Sequence, residues 1–183
     1  MQTYQGKAFF ISFQAFFMIN MALLFLVTGS IEALYITLVL LLLSLPVKIL
    51  KSSMLRIAPN ISARPAGAGD CHAFPGAFTA SKTGMPSGHS AGAFTMMIYT
   101  LYYIWYVHNV DSVVVLKQTQ QILSSVVVVF IGIGIAYSRI LYQCHTWKQI
   151  FAGAILGVLW SILSIWFRPQ AMASLSSLVA VSI

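Results

Sequence analysis

Five apolar stretches decide what this chain can fold into. A helix that crosses a bilayer needs about 20 mostly apolar residues, and residues from about 8 to 27, 31 to 50, 91 to 107, 122 to 137 and 150 to 167 meet or nearly meet that length. Charged residues make up only 7% of the chain against 59% hydrophobic, whereas a soluble domain carries roughly 25% charged residues. Such a chain cannot cover a water-facing surface. The expected fold is all-α, a polytopic transmembrane bundle of about five spans forming one domain over residues 1–183, with a motif-bearing core at about 48–167. Lys7 before the first stretch resembles the start of a signal peptide. No small-x-small cleavage site follows, so the segment is read as a retained span. Residues 171–183 are apolar but too short for an ordinary crossing, and are expected to lie at the interface or to be partly inserted.

One long non-span, residues 51–89, is rich in Gly, Pro, Ala and Ser and is expected to be a functional loop. Counting spans then places chemistry. With five crossings, the loop after the second span and the loop after the fourth share one membrane face, so residues 48–89 and 138–149 meet there. Nearly all the polar side chains of the chain lie in those two regions.

Composition removes other chemistry. The three acidic residues, Glu32, Asp70 and Asp111, are far apart in sequence, too sparse for a carboxylate cage around Mg²⁺ or Ca²⁺. Two cysteines, Cys71 and Cys144, are too few for a disulfide framework or a four-cysteine zinc site. A formal charge of +7 points to an anionic partner, lipid headgroups or a phosphorylated substrate. No metal, cofactor or nucleic-acid partner is expected.

Three clusters occupy the polar face. Lys48, Lys51, Arg56 and Arg64-Pro65 form the first; Lys82-Thr-Gly-Met-Pro86-Ser87-Gly88-His89-Ser90 opens the third span; Ser138-Arg139, His145 and Gln149 lead into the fifth. Arginine pairs with phosphate oxygens in bidentate fashion and lysine supplies a point charge. Backbone N–H groups at a helix N-terminus bind anions; Gly88 lets the backbone approach a phosphate and Ser87 caps the helix or donates a bond. Of two histidines titrating near neutrality, one can attack phosphorus while the other protonates the leaving oxygen. Together these groups describe phosphoryl transfer in which positive side chains do the work of a metal. His72 and His108 are read as interfacial or hydrogen-bonded groups rather than catalytic ones. Lys7, Lys117 and Arg168 are read as topology signals or snorkelling side chains.

At these residues the chain resembles the type 2 phosphatidic acid phosphatase superfamily, whose pattern is Lys-x6-Arg-Pro, Pro-Ser-Gly-His and Ser-Arg-x5-His-x3-Asp. The second and third elements match except that Gln149 replaces the aspartate. The stretch His145-Thr-Trp-Lys-Gln149, with Gly84-Met85-Pro86 before the serine motif, is similar to the dolichyl diphosphatase branch. The resemblance implies that His145 is the nucleophile forming a phosphohistidine and His89 the general acid. Arg64, Arg139, Ser87 and Gly88 would hold the phosphate, and Gln149, one helical turn after His145, would orient its imidazole. An amide cannot stabilise an imidazolium as a carboxylate does. Asp70 is an alternative source of negative charge. The first element departs more: Ile57, not lysine, stands in register with Arg64. Lys51 is the favoured replacement and Lys48 the second.

The implied activity is metal-independent hydrolysis of a membrane lipid phosphate or diphosphate, a polyprenyl diphosphate on the branch resemblance. The alternatives are an impaired relative that only binds phospholipid and a lipid phosphotransferase using the same histidine. Tyr99, Tyr102, Tyr103, Trp105 and Tyr106 on the third span are expected to form an interfacial belt and bundle packing, with a prenyl groove as the second reading. Eight of the ten cations fall on the motif-bearing face, but phosphate binding explains five of them, leaving the positive-inside rule undecided. The branch resemblance implies a lumenal site and an endoplasmic reticulum membrane. On that side Asn60-Ile61-Ser62 is a glycosylation sequon, and Cys71 and Cys144 could pair.

Overall fold

The structure, a computed structural model, describes residues 4–66, 68, 83–107 and 117–181, the side chains of 4–15 and 181 excepted. Asp70, Cys71, His72, Lys82, His108, Asp111 and the side chain of Lys7 therefore lie outside the described residues. The described chain is all-helical, with α1 at Tyr4–Thr28, α2 at Ile31–Leu42, α3 at Ser44–Ile57 and a short α4 at Pro59–Ser62. Helix α5 spans Gly88–Tyr102 and continues into a π-turn at Tyr103–Val107; α6 covers Gln118–Leu141 and α7 Trp147–Val181. Three helical segments, Ile31–Ile57, Gln118–Leu141 and Trp147–Ala180, are long and apolar enough to cross a membrane.

Local signals explain the boundaries. Gly29 takes φ +67°, which a glycine adopts without steric cost, and ends α1. Ser30 then caps α2, its hydroxyl accepting from the Ala33 N–H at 3.4 Å. The step between α2 and α3 falls just ahead of Pro46, which has no N–H to give the carbonyl one turn back. Helix α3 runs to Ile57, so residues 51–57, expected as loop, are the last turns of the second long helix. The C-terminal expectation also needs correcting. Residues 171–181 are no separate interfacial segment but the continuation of α7 through Pro169, with Ala171, Met172 and Leu175 packed on the core.

The core lies between α2, α5, α6 and α7, built from Tyr35, Ile36, Val39, Leu40, Ala93, Met96, Tyr99 and Ile135. Outward-facing side chains are large and apolar: Phe130 and Trp166 are each 75% exposed, and Phe151, Leu159 and Ile133 are exposed as well. An exterior with so many exposed large apolar side chains on helices long enough to cross a membrane belongs against lipid.

Helices α5 and α7 share the most extensive contact. A Cβ on Gly153 would collide with the Ser87 carbonyl, and one on Gly157 with the Ala91 carbonyl; small residues four apart let backbones touch in a membrane bundle. Hydrogen bonds line the seam: the Ser90 hydroxyl donates to Ile150 O at 2.9 Å and Thr95 to Gly157 O at 3.2 Å, and Ser161 also donates to Gly157 O at 2.8 Å. This seam holds the start of α5 against the start of α7.

At the other end of the bundle Arg168 pairs with Glu32 at 2.7 Å, and the Tyr99 hydroxyl donates to the same carboxylate. Arg168 is thus tied to α2 and is no snorkelling group.

Candidate active site

The two regions that parity brings to one face do meet. A cavity of about 610 Å³ is lined by Lys48, Lys51, Arg64, Thr83, Gly88, His89 and His145, with Leu40, Leu43, Val47 and Leu55 as its apolar wall. Of the nine expected site residues, six line this cavity, and Ser87, Arg139 and Gln149 are buried behind it. None of the five aromatics of the third span lines it; Tyr99 and Tyr103 instead line a second, apolar cavity with Phe17, Met21, Leu24 and Ile36 beside Glu32. Tyr99 packs in the core; Tyr106 is 67% exposed and stacks on Tyr102.

His145 sits in the turn between α6 and α7. Gln143, at φ +54°, reverses the chain there. The N–H groups of Cys144 and His145 then donate to Arg139 O at 2.9 and 3.2 Å, which ties the histidine to the end of α6. Cys144 is fully buried and its sulfur is held in a disulfide.

Gln149 is fully buried and saturated. Its Nε2 donates to Ala63 O at 2.7 Å and Ile61 O at 3.4 Å. Its Oε1 accepts from the Thr146 N–H at 3.2 Å and lies 3.1 Å from His145 Nδ1. The Gln149 N–H donates in return to Thr146 Oγ1 at 3.4 Å. Thr146 and Gln149 therefore form a capping box at the N-terminus of α7. Because backbone carbonyls hold the amide nitrogen, the oxygen must face His145, and the shared proton must sit on Nδ1. That leaves a lone pair on Nε2. Burial, then the Arg64 guanidinium, pushes the His145 pKa down to about 3, with Lys51 and Arg139 adding to the effect. The imidazole is therefore neutral at physiological pH.

Around it lie orphaned cationic donors. Arg139 is fully buried; its Nε and Nη2 donate to Ser138 Oγ at 3.3 and 3.4 Å, and its Nη1 has no partner among the described residues. Nε and Nη1 of Arg64 are likewise buried and unpartnered, and burial lowers its pKa from the ordinary guanidinium value. Buried N–H groups left unsatisfied are rare in folded proteins, and two guanidinium groups left so beside a cavity have the chemistry to receive an anion. Ser87 caps α5, its hydroxyl accepting from the Ser90 N–H at 3.3 Å. Gly88 opens that helix. A Cβ there would meet only Val47, at 3.5 Å, so the place it would fill belongs to the cavity.

The PAP2 superfamily pattern matches residues 32–173, most of the chain. The chain belongs to the PAP2 superfamily. Membership implies phosphatase-type activity on lipid phosphates. No characterised protein and no solved structure matches the chain significantly.

Two parts of this PAP2 site escaped the sequence reading. Thr146 carries a signal that was present, Thr-x-x-Gln ahead of an apolar run. Gly84 is the other: its N–H donates to Ser62 O at 2.6 Å, and a Cβ would collide with the Gln149 amide. Residues 61–63, Gly84 and Gln149 thus close on one another, and Arg64 follows directly.

Proposed function

We propose that this PAP2 protein hydrolyses a membrane lipid phosphate or diphosphate, without a metal, through a phosphohistidine on His145. The single observation that carries the reading is the His145 imidazole with its Nδ1 held by the Gln149 amide, set among buried arginine N–H groups that lack partners among the described residues. Nε2 of His145 attacks phosphorus and the bond to the leaving oxygen breaks. His89, on the same cavity, gives its proton to that oxygen. Water, yielding a proton back to His89, then attacks the phosphohistidine, releases inorganic phosphate and restores His145. Arg64, Arg139, Lys51 and the first N–H groups of α5 neutralise the charge on the equatorial oxygens.

Gln149 gives this scheme a distinct character. An amide holds the Nδ1 proton in place but does not accept it, so the phosphorylated ring keeps its positive charge and remains a good leaving group. The apolar wall of the cavity suits a substrate whose tail lies in the bilayer, with α1 and α5 completing a five-pass bundle. Similarity of His145-Thr-Trp-Lys-Gln149 to the dolichyl diphosphatase branch favours a polyprenyl diphosphate. The disulfide at Cys144 favours an oxidising, lumenal side in the endoplasmic reticulum. The test is phosphate release by detergent-solubilised protein from isoprenoid and glycerolipid phosphates in excess EDTA. Release that survives chelation supports the reading, and release abolished by it overturns the mechanism.

A further inference from the structure

One face of the second long helix supplies a whole wall of the cavity. Leu40, Leu43, Ser44, Val47, Lys48, Lys51, Ser52 and Leu55 recur every three to four residues and all line it, the spacing of one helical stripe. This helix begins beside the Glu32–Arg168 ion pair at the far end of the bundle and rises toward the site. The order along the stripe is therefore an order of depth: Leu40 and Leu43 at the bottom, Lys48 above them, Lys51 above Lys48, and Leu55 at the top. At about 1.5 Å per residue, Leu40 lies roughly 16 Å below Lys51 and Lys48 about 4.5 Å below it.

The cations that bear on His145 are Arg64, Lys51 and Arg139. These three neutralise one phosphoryl group at the nucleophile. Lys48 is surplus to that group. It sits one helical turn deeper, between the reacting position and the leucines at the bottom, and its cavity-lining neighbours Ser44 and Ser52 are each four residues away. A lipid monophosphate entering tail-down would place carbon at that level. A lipid diphosphate would place its inner, leaving phosphate there.

Building on the hydrolase reading, we infer that Lys48, with Ser44 beside it, forms a subsite for the leaving-group phosphate and makes the protein select lipid diphosphates over monophosphates. In the balanced reaction the P–O bond between the outer phosphorus and the bridging oxygen breaks. The lipid monophosphate departs with a proton from His89, and the negative charge that builds on the bridging oxygen before that proton is fully transferred develops beside the Lys48 ammonium. Lys48 thus acts where charge appears in the transition state.

The experiment compares kcat/KM for farnesyl diphosphate and farnesyl monophosphate in EDTA, using the full-length solubilised protein. The expected result is that Lys48→Ala and Lys48→Gln each lower the diphosphate-to-monophosphate ratio about 10- to 100-fold, the size of a lost charge-assisted contact. Lys48→Arg should restore most of the ratio, and Lys51→Ala should depress both substrates alike. A ratio unmoved by Lys48→Ala and Lys48→Gln overturns the subsite while leaving the hydrolase reading standing. A wild-type protein that releases phosphate from neither substrate removes the hydrolase reading, and the subsite with it.

Discussion

The amide oxygen of Gln149 lies 3.1 Å from Nδ1 of His145, and the amide nitrogen on the same side chain donates to Ala63 O at 2.7 Å. One buried side chain therefore sets the tautomer of the candidate nucleophile and fixes its distance from the segment that carries Arg64.

Exchanging the amide for a carboxylate changes the protonation of His145. With the pKa at about 3, the imidazole stays neutral as pH falls from 7 to about 4, so its protonation does not cut activity in that range. In Gln149→Glu a negative charge at the same point favours the imidazolium and raises that pKa. The acid limb of kcat/KM should move upward by a pH unit or more relative to wild type. A pH–rate profile of the two proteins decides it, and coincident acid limbs count against the Nδ1 contact.

Gly84 has no room for a side chain. In Gly84→Ala the Cβ pushes the Gln149 amide off its partners, and a misplacement of about 1 Å costs on the order of 100-fold in rate. Thermal unfolding should also show a loss of roughly 1–3 kcal/mol as buried polar groups lose their bonds. Gly88→Ala is the contrast. Its Cβ makes an ordinary contact with Val47, so stability should hold while KM rises as the phosphate space fills.

Arg139 is held by α6 and Arg64 by the loop after α4, yet both keep buried N–H groups without partners among the described residues. Arg139→Ala should lower kcat/KM by 100-fold or more, since a charged donor to the transition state is worth about 3 kcal/mol. Arg139→Lys should recover little, because an ammonium cannot reproduce the fork of donors. Steady-state kinetics on both variants checks the ordering.

The α5–α7 seam predicts a purely structural effect. Gly153→Leu drives a side chain into the Ser87 carbonyl, and overpacking of this kind costs about 1–3 kcal/mol. Phe151→Leu, on the exposed side of the same helix, should cost little. Thermal stability in detergent separates the two.

Much of the fold was legible because apolar length and parity are coarse signals: the positions of the long helices and the meeting of residues near 64, 89 and 145 followed from counting. The extension of α3 to Ile57 was missed because a polar helix end and a polar loop have the same composition. Arg168 was misread because nothing local in the sequence reveals its partner, Glu32, 136 residues away. Gly84 was seen only as a motif letter. Its role depends on a backbone-to-amide contact that no spacing rule contains.

The most direct test of the account is to quench turnover of a lipid diphosphate labelled with ³²P on its outer phosphate, and to map the trapped label by peptide mass spectrometry under alkaline conditions that preserve phosphohistidine. Label on the His145 peptide of wild-type protein, absent in His145→Ala and accumulating when water attack is slowed, is the predicted result. Phosphate release at full rate from His145→Ala, or label on another residue, would contradict it.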